Sequence, residues 1–239
     1  EMELFLNDYN NTQMYILKKN IQRKEGLKLT KNLKEILNAK KENYKVVQKY
    51  NNNLFLINNR KVNLRIYLLI VCQNGKVNAY LHQYGKCIYT NKEYNDNVFD
   101  FESNITSYHL DMTVYQKNPF SLEELKEYLQ KKNKDYNKLF QGINNIVNLT
   151  MISVKDKLCN LKNIYKNKTF QLFGLDFIFD KQMNPYLLEM NKGPDMIPRS
   201  ITDEKMKFKV EQDIFNILKV APYKKYDESN GFYNIYGNK

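Results

Sequence analysis

Residues 172–191 read LFGLDFIFDKQMNPYLLEMN, two apolar runs around the polar turn DKQMNP, with Asp176, Glu189 and Asn191 set where burial is expected. Short apolar runs flanking an Asn-Pro turn predict a β-hairpin. Alternate side chains of a strand share a face, so Glu189 and Asn191 lie together on the returning strand, while Asp176 lies with Gly174 and Ile178 on the outgoing one. The three can converge. Such oxygens cost several kcal/mol to bury unless a cation sits among them. Mg2+ suits them, because it takes one or two protein carboxylates and fills its octahedron with water and phosphate oxygens, which points to a nucleotide. The structural alternative is that Asp176 pairs with a basic residue and Glu189 with the KGP loop that follows.

Working outward, the chain alternates short strands with helices, an α/β or α+β pattern without internal repeats. Strands are predicted at 14–19, 44–50, 60–71 and 77–85, the last two as a hairpin around Asn74-Gly75. Helices are predicted at 29–41, with Leu33, Ile36 and Leu37 on one face, at 121–132, at 137–159 and at 203–219. Ser121 caps the second of these, and Glu124 completes a capping box. Lys18 ends the first strand and precedes a polar loop closing on Gly26, a layout that covers triphosphate oxygens with an ammonium group and backbone N–H donors. Gln48, Lys49 and Tyr50 end the second strand, where backbone groups can read an adenine edge. Lys61, Asn63 and Arg65 alternate on one face of the third, costly to bury and useful beside phosphates. The first and third of these features also have plain readings: Gly26 as a loop glycine with Lys18 a solvated charge, and the Lys61-Asn63-Arg65 face as a solvent-facing edge.

Composition narrows the classes. The 239 residues are 42% hydrophobic and 13% aromatic, enough apolar surface for a folded core of one large domain or two joined lobes. The apolar runs are too short for a membrane-spanning helix, and the N-terminus lacks a secretory pattern, so a cytosolic or nuclear protein is expected. Cys72, Cys87 and Cys159 are odd in number and widely spaced, so reduced thiols are expected, with Cys72 buried. Lys and Arg outnumber Asp and Glu by 38 to 26, a formal charge of +12 that favours an acidic partner. The charge is dispersed and mostly Lys, without a nucleic-acid recognition motif, which argues against nucleic acid. The Asn-rich tract YNNNLFLINN reflects composition rather than function.

The ordered series YILKKN…KEGLKL, VVQKY…LINNRKVNLRIYLLI, YLHQYGKCIYT, HLDMTVYQK and LFGLDFIFD…PYLLEMNKGP resembles the tubulin tyrosine ligase-like family over nearly the whole chain. That resemblance implies an ATP-grasp fold with mainly antiparallel sheets in two lobes, 1–56 and 57–239, around a nucleotide cleft, and implies that most of the family's N-terminal domain is missing. It implies ATP and Mg2+ as cofactors, with Lys18, Gly26, Gln48, Lys49, Tyr50, Lys61 and Asn63 binding nucleotide and Asp176, Glu189 and Asn191 binding metal. Arg65, Lys61 and Glu189 would be catalytic, while Arg65, His109, Asp111 and Lys192 would bind substrate. The implied reaction joins an amino acid, glutamate in preference, to a carboxylate on an acidic, tubulin-like tail by way of an acyl phosphate, in a monomeric, cytoplasmic or cytoskeleton-associated enzyme. Three departures stand out. Asn63 replaces an Asp, Tyr89 is read in the place of an Arg, and HLDM replaces HLTN, leaving the nucleotide site largely preserved and the amino-acid pocket altered. An inactive relative that binds acidic tails is the alternative.

Overall fold

The computed structural model describes residues 2–21, 26–95, 100–106, 111–159, 168–220 and 229–237. Two antiparallel sheets organise them, in keeping with the expected mixed α/β class. The small sheet has the order β2-β1-β3, from β1 (Tyr15–Lys19), β2 (Leu27–Thr30) and β3 (Tyr44–Lys49). Its outer face buries Tyr15, Leu17, Ile36 and Ala39, with Phe5 of α1 (Met2–Asp8) packed against them. Its other face carries Ile16 and Leu29, which cluster with Tyr50.

The expected helix over 29–41 is shorter than its periodicity implied. Leu27–Thr30 pair with β1 as a strand, and α2 covers only Leu33–Asn38. Two local features draw that boundary. Leu29 is buried opposite Ile16, and the Asn32 side chain accepts the Lys34 N–H as an N-cap, so the helix begins after it. Leu37, expected on the packed face, is exposed.

The large sheet has the order β8-β7-β5-β6-β9, with β4 (Leu56–Ile57) pairing at the start of β5. Asn58 and Asn59, in the left-handed conformation, make the tight turn between β4 and β5, which gives part of the Asn-rich tract a structural use. At its centre β5 (Arg60–Gln73) and β6 (Lys76–Tyr89) form the expected hairpin, and β7 (Lys168–Phe179) and β8 (Pro185–Lys192) form the second. Strand β9 (Phe232–Tyr236), unforeseen in the sequence, closes the β6 edge. Both faces of β5 are buried, which is why it reads as a nearly unbroken apolar run. Leu64, Ile66, Leu68 and Ile70 face a core completed by α4 (Leu122–Lys131) and α5 (Tyr136–Val154). Tyr67, Leu69 and Val71 face Met206, Val210 and Ile214 of α6 (Ile201–Leu218). A fully buried Leu or Ile contributes about 1.5–3 kcal/mol, so this strand anchors whatever charged groups share its second face.

The capping box at α4 is present in a variant form. Ser121 accepts the Glu124 N–H, while the Glu124 carboxylate reaches past the cap to the N–H of Phe120. The cysteine expectation is corrected: Cys72 is only half-buried and forms a disulfide with Cys159, 87 residues away, whereas Cys87 is the buried free thiol. The two sulfurs meet because β5 ends beside the segment that follows α5, a proximity that spacing alone does not reveal. Among the described residues, no helix is long and apolar enough to cross a membrane.

Candidate active site

Four neighbouring strands lay one row of charge across the large sheet. Lys86 on β6 lies opposite Arg65 on β5, Arg65 opposite Asp176 on β7, and Asp176 opposite Glu189 on β8. Directly opposed residues share a face, so two cations and two carboxylates stand side by side on the face that carries α6. Arg65 grips Asp176 with two hydrogen bonds, Nε to Oδ1 at 2.6 Å and Nη2 to Oδ2 at 3.0 Å. Asp176 therefore has the basic partner that the structural alternative called for. Gly174 makes room for this pair, since a Cβ there would meet Pro194 Cβ at 2.8 Å and Arg65 Cδ at 3.0 Å.

The pairing does not use up the carboxylates. Burial pushes the Asp176 carboxyl above its ordinary range and Glu189 adds to the shift, against the Arg65 hydrogen bonds. A cation set between the two carboxylates would relieve that repulsion on Asp176. Asn191 Nδ2 donates to Glu189 Oε1 at 2.8 Å, which leaves the Asn191 amide oxygen as a further hard ligand. The donor set fits Mg2+ by type. Among the described residues no group of three or more His, Cys, Asp or Glu side chains forms a metal cage, so an ion here needs oxygens from outside the protein, as Mg2+ with a nucleotide does.

Lys61, Asn63 and Arg65 share one face of β5, as their spacing required. Lys61 is almost wholly buried and donates to the Asn104 carbonyl at 3.0 Å and to the Tyr50 hydroxyl at 3.3 Å. Burial, together with the charge of Lys18, lowers its pKa to about 8. A bound anion would return this amine toward its ordinary value. Asn63 Oδ1 is buried and has no hydrogen-bond partner among the described residues, an acceptor matched to a hydroxyl or amine. Lys18 and Gln48 lie on the face of the small sheet that carries Ile16. Lys49 turns away to Asp8, at 2.6 Å. Tyr50 has its backbone N–H bonded to the Met14 carbonyl and its carbonyl accepting from the Gln13 amide, while ladder alternation turns the Lys49 backbone groups to the outer edge of β3. Gly26 is buried, and a Cβ there would meet Ile21 at 2.7 Å. The loop before it, 22–25, lies outside the described residues, as does His109.

The model of the tubulin-tyrosine ligase family matches residues 2–228. The chain belongs to the tubulin-tyrosine ligase family. Among curated proteins it is 27% identical to the probable tubulin polyglutamylase ttll-9 of Caenorhabditis elegans, over 92% of this chain and 56% of that one. It is 28% identical to the probable alpha-tubulin polyglutamylase Ttll1 of Tetrahymena thermophila, over 74% of this chain and 44% of that one. It is 25% identical to the tubulin monoglutamylase TTLL4 of Mus musculus, over 72% of this chain and 16% of that one. The chain thus spans about half the length, or less, of these family members.

Of the expected substrate contacts, Lys192 lies on the opposite face and Asp111 has a local use, and Tyr89, read in the place of an Arg, is also off the site face. Tyr89 is fully buried in the α4/α5 core and donates to the Pro119 carbonyl at 2.8 Å. The β6 residue on the site face is Ile88, opposite Asn63, as counting alternate positions from Lys86 requires. Lys192 lies opposite Phe173, whose side chain packs into the α4/α5 core, so alternation turns it away from Glu189 and Asn191. Asp111 caps a short 3-10 turn by accepting the Thr113 N–H at 3.0 Å, a bond that lowers its pKa. Sequence reasoning passed over Lys86, Tyr67, Asp203 and Lys207. Lys86 and Tyr67 were within reach of the alternation argument, while Asp203 and Lys207 sit on a helix whose docking no local pattern fixes.

Proposed function

We propose that the chain is the nucleotide-binding and catalytic part of an ATP- and Mg2+-dependent ligase that adds glutamate to an acidic, tubulin-like tail. The observation that supports this most is the register that sets Lys61, Asn63 and Arg65 on one face of β5, in line with Asp176 and Glu189. The family membership and the glutamylase names of similar proteins support the same reading. On it, the two sheets are the two lobes of an ATP-grasp fold, 1–56 and 57–239, working in the cytoplasm or on the cytoskeleton.

A carboxylate is a poor electrophile. In the proposed reaction the acceptor carboxylate takes the terminal phosphoryl group of ATP, ADP leaves, and the amine of free glutamate displaces phosphate, giving up a proton as the amide forms. The protein's work is alignment and charge neutralisation. Lys18 and Lys61 hold phosphate oxygens, and Arg65 faces the transferring group while Asp176 fixes its guanidinium plane. Asp176, Glu189 and Asn191 would hold Mg2+, which when bound neutralises charge on the phosphoryl oxygens. Asn63 takes a ribose hydroxyl or the incoming amine. The +12 charge steers the chain toward acidic tails.

The apolar Ile88 on the site face favours a second reading, a relative that binds acidic tails without turnover. One assay separates the two: ADP release with Mg2+-ATP, an acidic peptide and a panel of amino acids, followed by mass spectrometry of the peptide. Glutamate-dependent ADP release with a matching mass increase, absent in Glu189→Gln, supports the ligase. Peptide binding without ADP release supports the inactive relative.

A further inference from the structure

Beside the row of charge lies a second buried cluster with an excess of positive charge. Asp203, in the first turn of α6 and fully buried, accepts from Lys86 Nζ at 3.1 Å and Lys207 Nζ at 2.9 Å. It also accepts the Arg199 N–H at 3.0 Å, and its own N–H bonds to the Ser200 cap. Two ammonium groups thus share one carboxylate. The other charges facing the cluster are spoken for, since Arg65 is paired with Asp176 and Arg199 with Asp195. Glu189 lies farther along the row, bonded to Asn191.

The two lysines differ in what they have left to give. Lys207 also donates to the Ile197 carbonyl at 2.7 Å, which fastens the loop between β8 and α6. Lys86 has one protein acceptor among the described residues, keeps 15% of its side chain exposed, and stands directly opposite Arg65. Burial lowers its pKa, and Lys207 and Arg65 push the same way against Asp203. On the same face, one pleat along β5, the hydroxyl of Tyr67 is wholly buried and has no hydrogen-bond partner among the described residues, within electrostatic reach of Arg65, Asp203 and Asp176. A partly exposed cation with unused donors and a buried hydroxyl with none of its bonds made, both facing Asp203 and Arg65, are matched by one ligand group: an anion with acceptor oxygens for each.

We infer that Lys86, together with the Tyr67 hydroxyl, anchors a carboxylate of the incoming amino acid. The identity of that ligand rests on the ligase reading; the anion site does not. Asp203 and Lys207 are positioning residues, holding the Lys86 amine beside Arg65, where the acceptor is to be activated. The apolar Ile88 next to it would then line the substrate's methylene groups.

Calorimetric titration of the chain with glutamate and with its dimethyl ester, with and without Mg2+ and a non-hydrolysable ATP analogue, tests the proposal. Glutamate is expected to bind and the ester not; Lys86→Met should weaken glutamate binding about tenfold or more, and Tyr67→Phe severalfold, with nucleotide affinity unchanged. Tyr67→Phe should also melt at or above the wild-type temperature, because it removes an unsatisfied buried hydroxyl, a gain that a merely structural tyrosine bond would not allow. It keeps the proposal testable if Lys86→Met does not fold. Equal glutamate affinity in wild type and variants, equal binding of the ester, or nucleotide binding without glutamate binding overturns the proposal while leaving the ligase reading standing. A chain that takes glutamate through Lys86 but no nucleotide overturns the ligase reading and keeps the anion site.

Discussion

Lys61 concentrates the electrostatics of the site in one amine. Its pKa of about 8 lies below the ordinary 10.5 because burial and the nearby Lys18 both disfavour the ammonium form. Between those values the unfolded chain binds more protons than the folded one, so this residue makes stability rise as pH goes from about 8 to 10.5; below 8 the buried charge weighs on the fold in full. On the proposed reading, a triphosphate bound beside it would reverse the preference and draw a proton in. Nucleotide affinity should therefore fall as pH rises through about 8, with proton uptake seen as a dependence of binding heat on buffer ionisation enthalpy. Lys61→Gln should cost about tenfold or more in affinity at neutral pH and flatten that profile. Gly174 gives a steric counterpart. In Gly174→Ala the new methyl meets both Pro194 and the Arg65 side chain, so a loss of about 1–3 kcal/mol in denaturant melts is expected, along with weaker nucleotide binding as Arg65 moves.

Elements hold these residues through pairings of long sequence reach. Where β6 bulges between its pairings with Ile66 and Leu68, His82 turns inward and its Nε2 lies 3.0 Å from Asp213 Oδ2 on α6. The Tyr84 N–H donates to Nδ1, which makes Nε2 the protonated nitrogen. Asp213 also accepts from Lys209 and from the Gly231 N–H just before β9, so one carboxylate ties β6, α6 and β9 together. Although burial works the other way, these bonds lower its pKa, so the stability they give is present above the unfolded carboxylate range and is lost as pH falls through the folded value. Asp213→Ala should destabilise the chain by about 3–5 kcal/mol, with hydrogen exchange rising first in β9. None of this was legible in the sequence. His82 and Asp213 are 131 residues apart, and a five-residue strand such as β9 has too short a pattern to stand out. The β5–β6 and β7–β8 hairpins were legible, because turn residues and apolar runs agree there. The boundary of α2 was misread because strand pairing of Leu29 outweighed helical periodicity.

At the scale of the molecule, the small sheet presents Lys18 and Gln48, and the large sheet presents Lys61, Asn63, Arg65, Asp176, Glu189 and Asn191. Most of that set could be read from alternation along single strands, since a period of two is fixed by the backbone. What could not be read was the partner each charge would find: that Arg65 would take Asp176, and that α6 would bring Asp203 and Lys207 to Lys86. Lys192 and Tyr89 show the other limit, residues adjacent in sequence to the site yet turned to the opposite face. On the proposed reading, the paired carboxylates of β7 and β8 hold a divalent ion carrying a triphosphate. Titration calorimetry of an ATP analogue into the chain, with Mg2+ or with EDTA, tests it most directly. Saturable uptake that needs Mg2+ and drops about tenfold or more in Glu189→Gln is the predicted result. Uptake indifferent to Mg2+ and to that substitution, or no uptake at all, would contradict it.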